Sequence, residues 1–264
     1  MHRLSIDTTS KQLSVIISSD AKVISKVSRE SDRNCMEMII SDIDDALKRA
    51  GISIREVDAL GVNLGPGDFT GTRIGISIMK TLGWVLDKPV YGINALDIFA
   101  SGIASSNQDL LNSNIDLNTP AIIAPCMDVR KGEIYYCLYN ITGGGRDGDA
   151  IANIIIGSKS YKINRINSRY LVKADTFFDD LMKNLEKASG GADARIIFGG
   201  NGIESYGEIF SAFTKDDNRY LLDKNNAFPR PESLDLCMSY CIGSKAMPGK
   251  INPVYVREFI PFGK

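Results

Sequence analysis

The chain has 264 residues with a formal net charge of −1, 44% hydrophobic and 24% charged residues, which is enough for one large domain or two small lobes. The near-neutral balance excludes a global pull toward nucleic acid or an anionic membrane, and no apolar run approaches the roughly 20 residues of a membrane span. The only histidine is His2, which excludes Ser-His-Asp and Cys-His catalysis and His-rich metal sites.

Residues 1–7 pass directly into a strand-like segment, so no signal peptide is expected and the expected location is cytoplasmic. Residues 4–6 and 13–17 are apolar, β-branched runs that predict a β-hairpin with Asp7 at its turn. Met36, Ile39, Ile40, Ile43, Leu47 and Ala50 fall on helical spacing, with Glu37, Asp42, Asp44, Asp45, Lys48 and Arg49 on other faces. Asn34 and Glu37 form a capping-box-like start and Gly51 a stop. Met38 lies off that stripe, either as an exposed contact residue or as a scattered surface methionine. A strand over 57–64, a helix over 72–86 stacking Ile74, Ile78 and Leu82, and a strand over 89–93 follow. Asn94 then caps a helix carrying Leu96, Phe99, Ala100 and Ile103.

Residues 105–119 are rich in Ser, Asn and Asp and mark a lobe boundary, dividing the chain into 1–104 and 105–264. The segments 121–124 and 134–139, joined through Asp128 to Gly132, repeat the hairpin and suggest a duplicated lobe. Residues 142–148, with four glycines and two charges, read as a mobile loop. A helix carrying Phe177, Phe178, Leu181, Met182 and Leu185, a strand over 195–198 and a glycine turn over 199–202 come next. A helix with Ile203, Tyr206, Ile209, Phe210 and Phe213 follows, and a last helix over about 232–246 is expected to pack back on the first lobe. This alternation predicts an α/β fold. The five cysteines contain no C-x-x-C pair, and Cys237 and Cys241 read as core residues of the last helix.

The most informative stretch is Gly65-Pro66-Gly67-Asp68-Phe69-Thr70-Gly71-Thr72-Arg73-Ile74-Gly75, between a strand and a helix. Thr70 stands where a dinucleotide fingerprint needs its third glycine, and no lysine follows Gly71 as a P-loop requires. Gly65, Gly67, Thr70 and Gly71 are left with two readings, an anion-binding turn or a tight structural turn.

This run resembles the GPGSFTGLRIG signature of the TsaB (YeaZ) family, with Asp68 where serine is usual. Residues 6–9 are similar to that family's opening strand and turn, and residues 127–135 to its D-A-R-x-G-E-V-Y motif. Residues 199–202 with Tyr206 resemble its late glycine turn, and residues 253–257 its P-x-Y-x-R; residues 142–175 resemble nothing. The resemblance implies an actin-like (Hsp70-like) fold of two similar lobes with mixed sheets. It further implies a partner subunit that joins TsaD, a catalytic paralogue, as a heterodimer, and TsaE, a P-loop ATPase. Together they transfer a threonylcarbamoyl group to the adenosine beside the anticodon of tRNAs reading codons that begin with A. The chain itself is expected to bind no cofactor and no metal. ATP is used by the assembled system, and tRNA is met only through the complex.

TsaD carries N-H-L-E-G-H where this chain, aligned on Asn94, has Ala95 and Phe99 in place of two metal-ligating histidines. Asp7 and Asp128 stand where ATPases of the superfamily place phosphate-associated acids; they read either as nucleotide-binding residues or as Asx caps of their turns. Arg73 and Arg130 read either as partners of a carboxylate or phosphate or as exposed surface arginines. Helices over 34–50 and 72–86 are implied as the joint with TsaD, with Met36, Met38, Ile39, Ile43, Arg73 and Met79 as candidates. The alternatives are a small actin-like ATPase or carboxylate kinase, and a homodimer through the same helices; a peptidase lacks its constellation.

Overall fold

The computed structural model describes residues 1–20, 22–30, 35–114, 121–142, 150–156, 159–189, 194–244 and 251–256, with side chains for all but 35–37, 112–114 and 187–189. The expected first hairpin is present and extended by a third strand. β1 (His2–Asp7), β2 (Gln12–Ser19) and β3 (Lys22–Glu30) pair antiparallel. β4 (Val57–Asn63) joins β1 in parallel, and β5 (Val90–Ile93) joins β4, giving the order β3-β2-β1-β4-β5. Alternation divides β1: Leu4 and Ile6 face helices α1 (Cys35–Ala50) and α2 (Phe69–Leu86), while Arg3 and Ser5 face the other way. β3 is the edge strand, and its Lys22, Lys26, Arg29 and Glu30 discourage further pairing.

Two helix faces differ from expectation. In α1, Asp42 is buried and ion-paired with Arg29, whereas Ile40 is 53% exposed. The guanidinium makes that burial tolerable, although desolvation still pushes the Asp42 carboxyl up. The expected start at Asn34 lies outside the described residues, but Gly51 ends the helix in a left-handed conformation as expected. In α2 the buried line is Thr72, Gly75, Ile76, Met79 and Gly83; Ile74, Ile78 and Leu82 are only half-buried at its flank.

The helix α3 (Ala95–Ser106) is capped by Asn94, whose Oδ1 accepts from the Leu96 N–H at 2.9 Å. The stretch expected as a boundary contains α4 (Gln108–Asn114), and residues 115–120 lie outside the described ones. In the second lobe β6 (Ala121–Asp128) pairs antiparallel with β7 (Glu133–Tyr136) and β8 (Tyr139–Thr142). The single strand expected over 134–139 is thus broken. Pro125 stands opposite Cys137 in this register and has no N–H for the ladder; the Leu138 N–H instead bonds Asn167 Oδ1 at 3.0 Å.

β9 (Ala150–Ile156), β10 (Lys159–Arg165) and β11 (Tyr170–Lys173) widen this sheet from the stretch that resembled nothing. Most of the glycine-rich loop, 143–149, lies outside the described residues. α5 (Phe177–Ser189) leads to β12 (Arg195–Gly199), parallel to β6. The next expected helix is split at Tyr206 into α6 (Gly202–Ser205) and α7 (Gly207–Thr214). β13 (Tyr220–Asp223) runs parallel to β12, and α8 (Pro231–Gly243) follows.

The two lobes repeat one plan. In the first, three antiparallel strands are followed by a helix, a parallel strand, a helix, a parallel strand and a helix; in the second the antiparallel part is enlarged to six strands, β6 to β11, before the same alternation, with its middle helix split into α6 and α7. The order β3-β2-β1-β4-β5 recurs as β10, β8 with β7, β6, β12, β13. This is the plan of two similar lobes with mixed sheets that the resemblance implies. The last helix of each lobe packs across: α3 lies on β6, β9 and β12, and α8 lies against β1, β2, β4 and β5. Gly61 permits that approach, since a Cβ there would sit 2.6 Å from Met238 Sδ. Arg3 holds Asp235 of α8 through two bonds of 3.0 and 2.9 Å, and the Ser18 hydroxyl donates to the same carboxylate at 2.7 Å. No described helix is long and apolar enough to cross a membrane.

Candidate functional site

Asp7 ends β1 almost wholly buried, and both its oxygens are used. Oδ1 accepts from the Thr9 N–H and the Thr9 hydroxyl, each at 2.8 Å, and Oδ2 from Asn63 Nδ2 at 2.9 Å. Burial pushes its carboxyl up, with the bonds from Asn63 and Thr9 working against that rise. Asn63 also accepts from the Gly65 N–H at 2.9 Å, so the end of β4 sets both the acidic turn and the start of the glycine loop.

The loop then folds onto the turn. The Asp68 N–H donates to the Thr9 carbonyl at 2.6 Å, and the Thr8 hydroxyl donates to the Gly71 carbonyl at 2.7 Å. A Cβ at Gly67 would lie 2.3 Å from the Thr9 carbonyl oxygen, at Gly71 2.0 Å from the Thr8 carbonyl oxygen, and at Gly75 2.3 Å from Thr8 Oγ1. These glycines let α2 lie against the Thr8-Thr9 turn. Asp68 is the N-cap of α2, its carboxylate accepting from the Gly71 N–H at 2.7 Å, a role a serine fills equally well. Thr70 is exposed on the first turn of the helix.

The second lobe repeats the device. Asp128 Oδ1 accepts from the Arg130 N–H at 2.8 Å and from the Tyr206 hydroxyl at 2.9 Å, and the Asp128 N–H donates to Asn201 Oδ1 at 3.1 Å. Burial and the adjacent Asp128 push the Tyr206 hydroxyl up to about 12, so it remains a donor. Arg130, Lys131 and Gly132 all take left-handed φ, with Arg130 exposed at the tip. Both acids therefore cap their turns through Asx bonds, each beside a glycine turn from the neighbouring parallel strand.

The interface candidates separate by burial. Ile39 and Met79 are fully buried and Ile43 nearly so, all in the core between the first sheet and its helices, which leaves them no area for a partner. Met38 is half-buried, and the Met36 side chain lies outside the described residues. Arg73 is exposed; its Nε donates to the Tyr255 hydroxyl at 2.8 Å, and its guanidinium lies 3.8 Å above the Phe69 ring. The backbone supports this contact, because the Val254 N–H donates to the Leu64 carbonyl at 2.8 Å. Residues from three separated motifs thus meet at the start of α2; Arg257 lies outside the described residues.

Sequence reasoning missed several large apolar residues that face outward. Trp84, the only tryptophan, is 85% exposed, Val85 is 65% exposed, and Phe69 and Ile40 are also open. The signal was present: Arg73, Ser77 and Trp84 recur at a spacing that keeps one helix face, away from the buried glycines. Ala95 and Phe99, aligned with metal-ligand positions, lie in the core.

The family model described as TsaD: tRNA N6-adenosine threonylcarbamoyltransferase matches residues 20–239. The tRNA threonylcarbamoyladenosine biosynthesis protein TsaB of Bacillus subtilis is 26% identical over 141 residues, covering 53% of this chain and 56% of that protein. TsaB of Escherichia coli is 30% identical over 139 residues, covering 53% and 55%. The chain spans about half the length of these curated relatives. YeaZ from Pseudomonas aeruginosa superposes with a TM-score of 0.67 at 20% identity over 97% of this chain and 99% of that one, a likeness of fold. A model match over most of the chain shows that it belongs to the TsaD family; within that family the TsaB relatives and the fold shared with YeaZ agree with the resemblance that the glycine motif carries.

Proposed function

We propose that the chain is a non-catalytic partner subunit in tRNA threonylcarbamoyladenosine biosynthesis. It pairs with a TsaD paralogue and acts with the TsaE ATPase in moving the threonylcarbamoyl group to the adenosine beside the anticodon. The observation that carries this reading is the outward face of α1 and α2. Two helices whose inner sides close the first lobe's core present Ile40, Phe69, Trp84 and Val85 to solvent. Large aromatic side chains held open on rigid helices are what a partner's groove engages. The side chains of Ala95 and Phe99 cannot ligate a metal, so the catalytic centre belongs to the partner in this reading.

The test is sedimentation of this chain with its TsaD partner. A stable heterodimer is expected, and Trp84→Asp and Met38→Asp each weaken it about tenfold or more. Unchanged dissociation constants for both variants remove this face from the joint, and self-association that excludes TsaD favours the homodimer. A second reading, a small actin-like ATPase or carboxylate kinase, draws on the paired acidic turns at Asp7 and Asp128. Calorimetric titration with Mg-ATP separates the two, tight binding by the isolated chain favouring the kinase.

A further inference from the structure

Away from the α1–α2 face and from both acidic turns, a cationic cluster gathers at the start of α3. Asp97, in the first turn of that helix, is only 7% exposed. Its carboxylate accepts from the Tyr139 hydroxyl at 2.6 Å, from Arg165 at 3.0 and 2.9 Å, and from Arg169 at 3.0 Å. Tyr139 and Arg165 stand opposite each other on β8 and β10 and so share one face of the sheet. Burial and the nearby Asp97 push the Tyr139 hydroxyl well up, which keeps it a donor. Two guanidinium groups thus surround one carboxylate, leaving one positive charge in excess by this count.

The donors around Asp97 exceed what it can accept. Arg165 Nε, Arg169 Nε and Asn167 Nδ2 are buried without an acceptor, and Asn94 Nδ2 has only the Tyr135 hydroxyl. The two amides cannot simply be turned over. Asn94 Oδ1 holds the Leu96 N–H that caps α3, and Asn167 Oδ1 holds the Leu138 N–H where the strand breaks. Asn94 is itself 6% exposed, and it lies beside the buried Tyr135 hydroxyl, which also neighbours Arg169. The unpartnered acceptors Asn140 Oδ1 and Asn164 Oδ1 are on the opposite face, one residue out of phase with Tyr139 and Arg165. Buried donors without acceptors are rare in native proteins and mark a missing ligand or water. Surplus positive charge favours a ligand that is negative.

We propose that Arg165, Arg169, Asn94 and Asn167 form a binding site for a small oxyanion, the carboxylate or phosphoryl group of a metabolite, anchored on Asp97. Asp97 orients the two arginines through their terminal nitrogens and leaves their Nε–H groups for the ligand. Both arginine side chains are 29% exposed, which gives the ligand a route from solvent. The site does not depend on the proposed pairing with TsaD.

The test is calorimetric titration of the full chain with sodium phosphate and, separately, sodium acetate, at constant ionic strength in chloride. Saturable one-to-one binding with Kd of about 1 mM or tighter is expected for one anion or both, and the pattern distinguishes a phosphoryl from a carboxylate site. Arg169→Gln weakens it about tenfold. Arg169→Lys, which keeps the charge, weakens it less. On the wild type, the side-chain amide resonances of Asn94 and Asn167 shift as the anion is added. Absence of saturable binding by both anions, or binding unchanged in a folded Arg169→Gln, overturns the proposal.

Discussion

Asp7 shows how much of this protein is decided by single polar atoms. Asn63 presents its amide nitrogen to Asp7 and keeps its oxygen for the Gly65 N–H. Asp7→Asn therefore sets donor against donor, with an expected loss of about 1–3 kcal/mol in urea unfolding. The sign of the pH dependence follows from the raised carboxyl. The folded protein holds the Asp7 proton more tightly than the unfolded chain, so this group's contribution to stability falls as pH rises from about 4 through its folded pKa. That part of the slope is absent in Asp7→Asn, which paired unfolding curves between about pH 4 and 8 read directly. At Gly71 the added methyl of Gly71→Ala meets the Thr8 carbonyl, and a loss of about 1–3 kcal/mol is expected by the same measurement. Gly207→Ala, where a Cβ meets nothing within 4 Å, serves as the unchanged control. The sequence made the glycines conspicuous. Their partners, Thr8 and Thr9, lie more than fifty residues upstream, and no local pattern announces them.

At the scale of elements, helix α8 joins the lobes through a buried ion pair rather than through apolar area alone. Asp235→Ala leaves Arg3 charged and unpaired in the interior, and a loss of about 3–5 kcal/mol in thermal or denaturant unfolding is expected. Helix positions were legible because the 3.6-residue period survives in α1, α2, α3 and α5. Helix faces were less so. Asp42 reads as a surface charge until Arg29, on a strand the pattern did not reveal, arrives to neutralise it. β3 and β10 escaped for a related reason: charged and polar residues interrupt their alternation, because much of each strand faces water. The split between β7 and β8 depends on Pro125 across the sheet, which the returning strand does not encode.

At the scale of the molecule, duplication explains the architecture. Each lobe carries an acid at the end of its first strand and a glycine turn after the strand that joins it in parallel, and both acids are occupied in holding their own turns. The hairpins and the glycine motif were enough to read the two-lobed plan, since they recur half a chain apart. The outward face of α2 was not, because an exposed tryptophan declares itself only once the buried side of its helix is known. On this account the ancestral architecture persists while its remaining work is recognition through α1 and α2. The most direct measurement is reconstitution of threonylcarbamoyl transfer to tRNA with the TsaD partner and TsaE, with and without this chain, and with this chain alone. The account predicts full activity only in the complete mixture, a large loss when this chain carries Trp84→Asp, and none from the chain by itself. Transfer or ATP turnover by the isolated chain would contradict it.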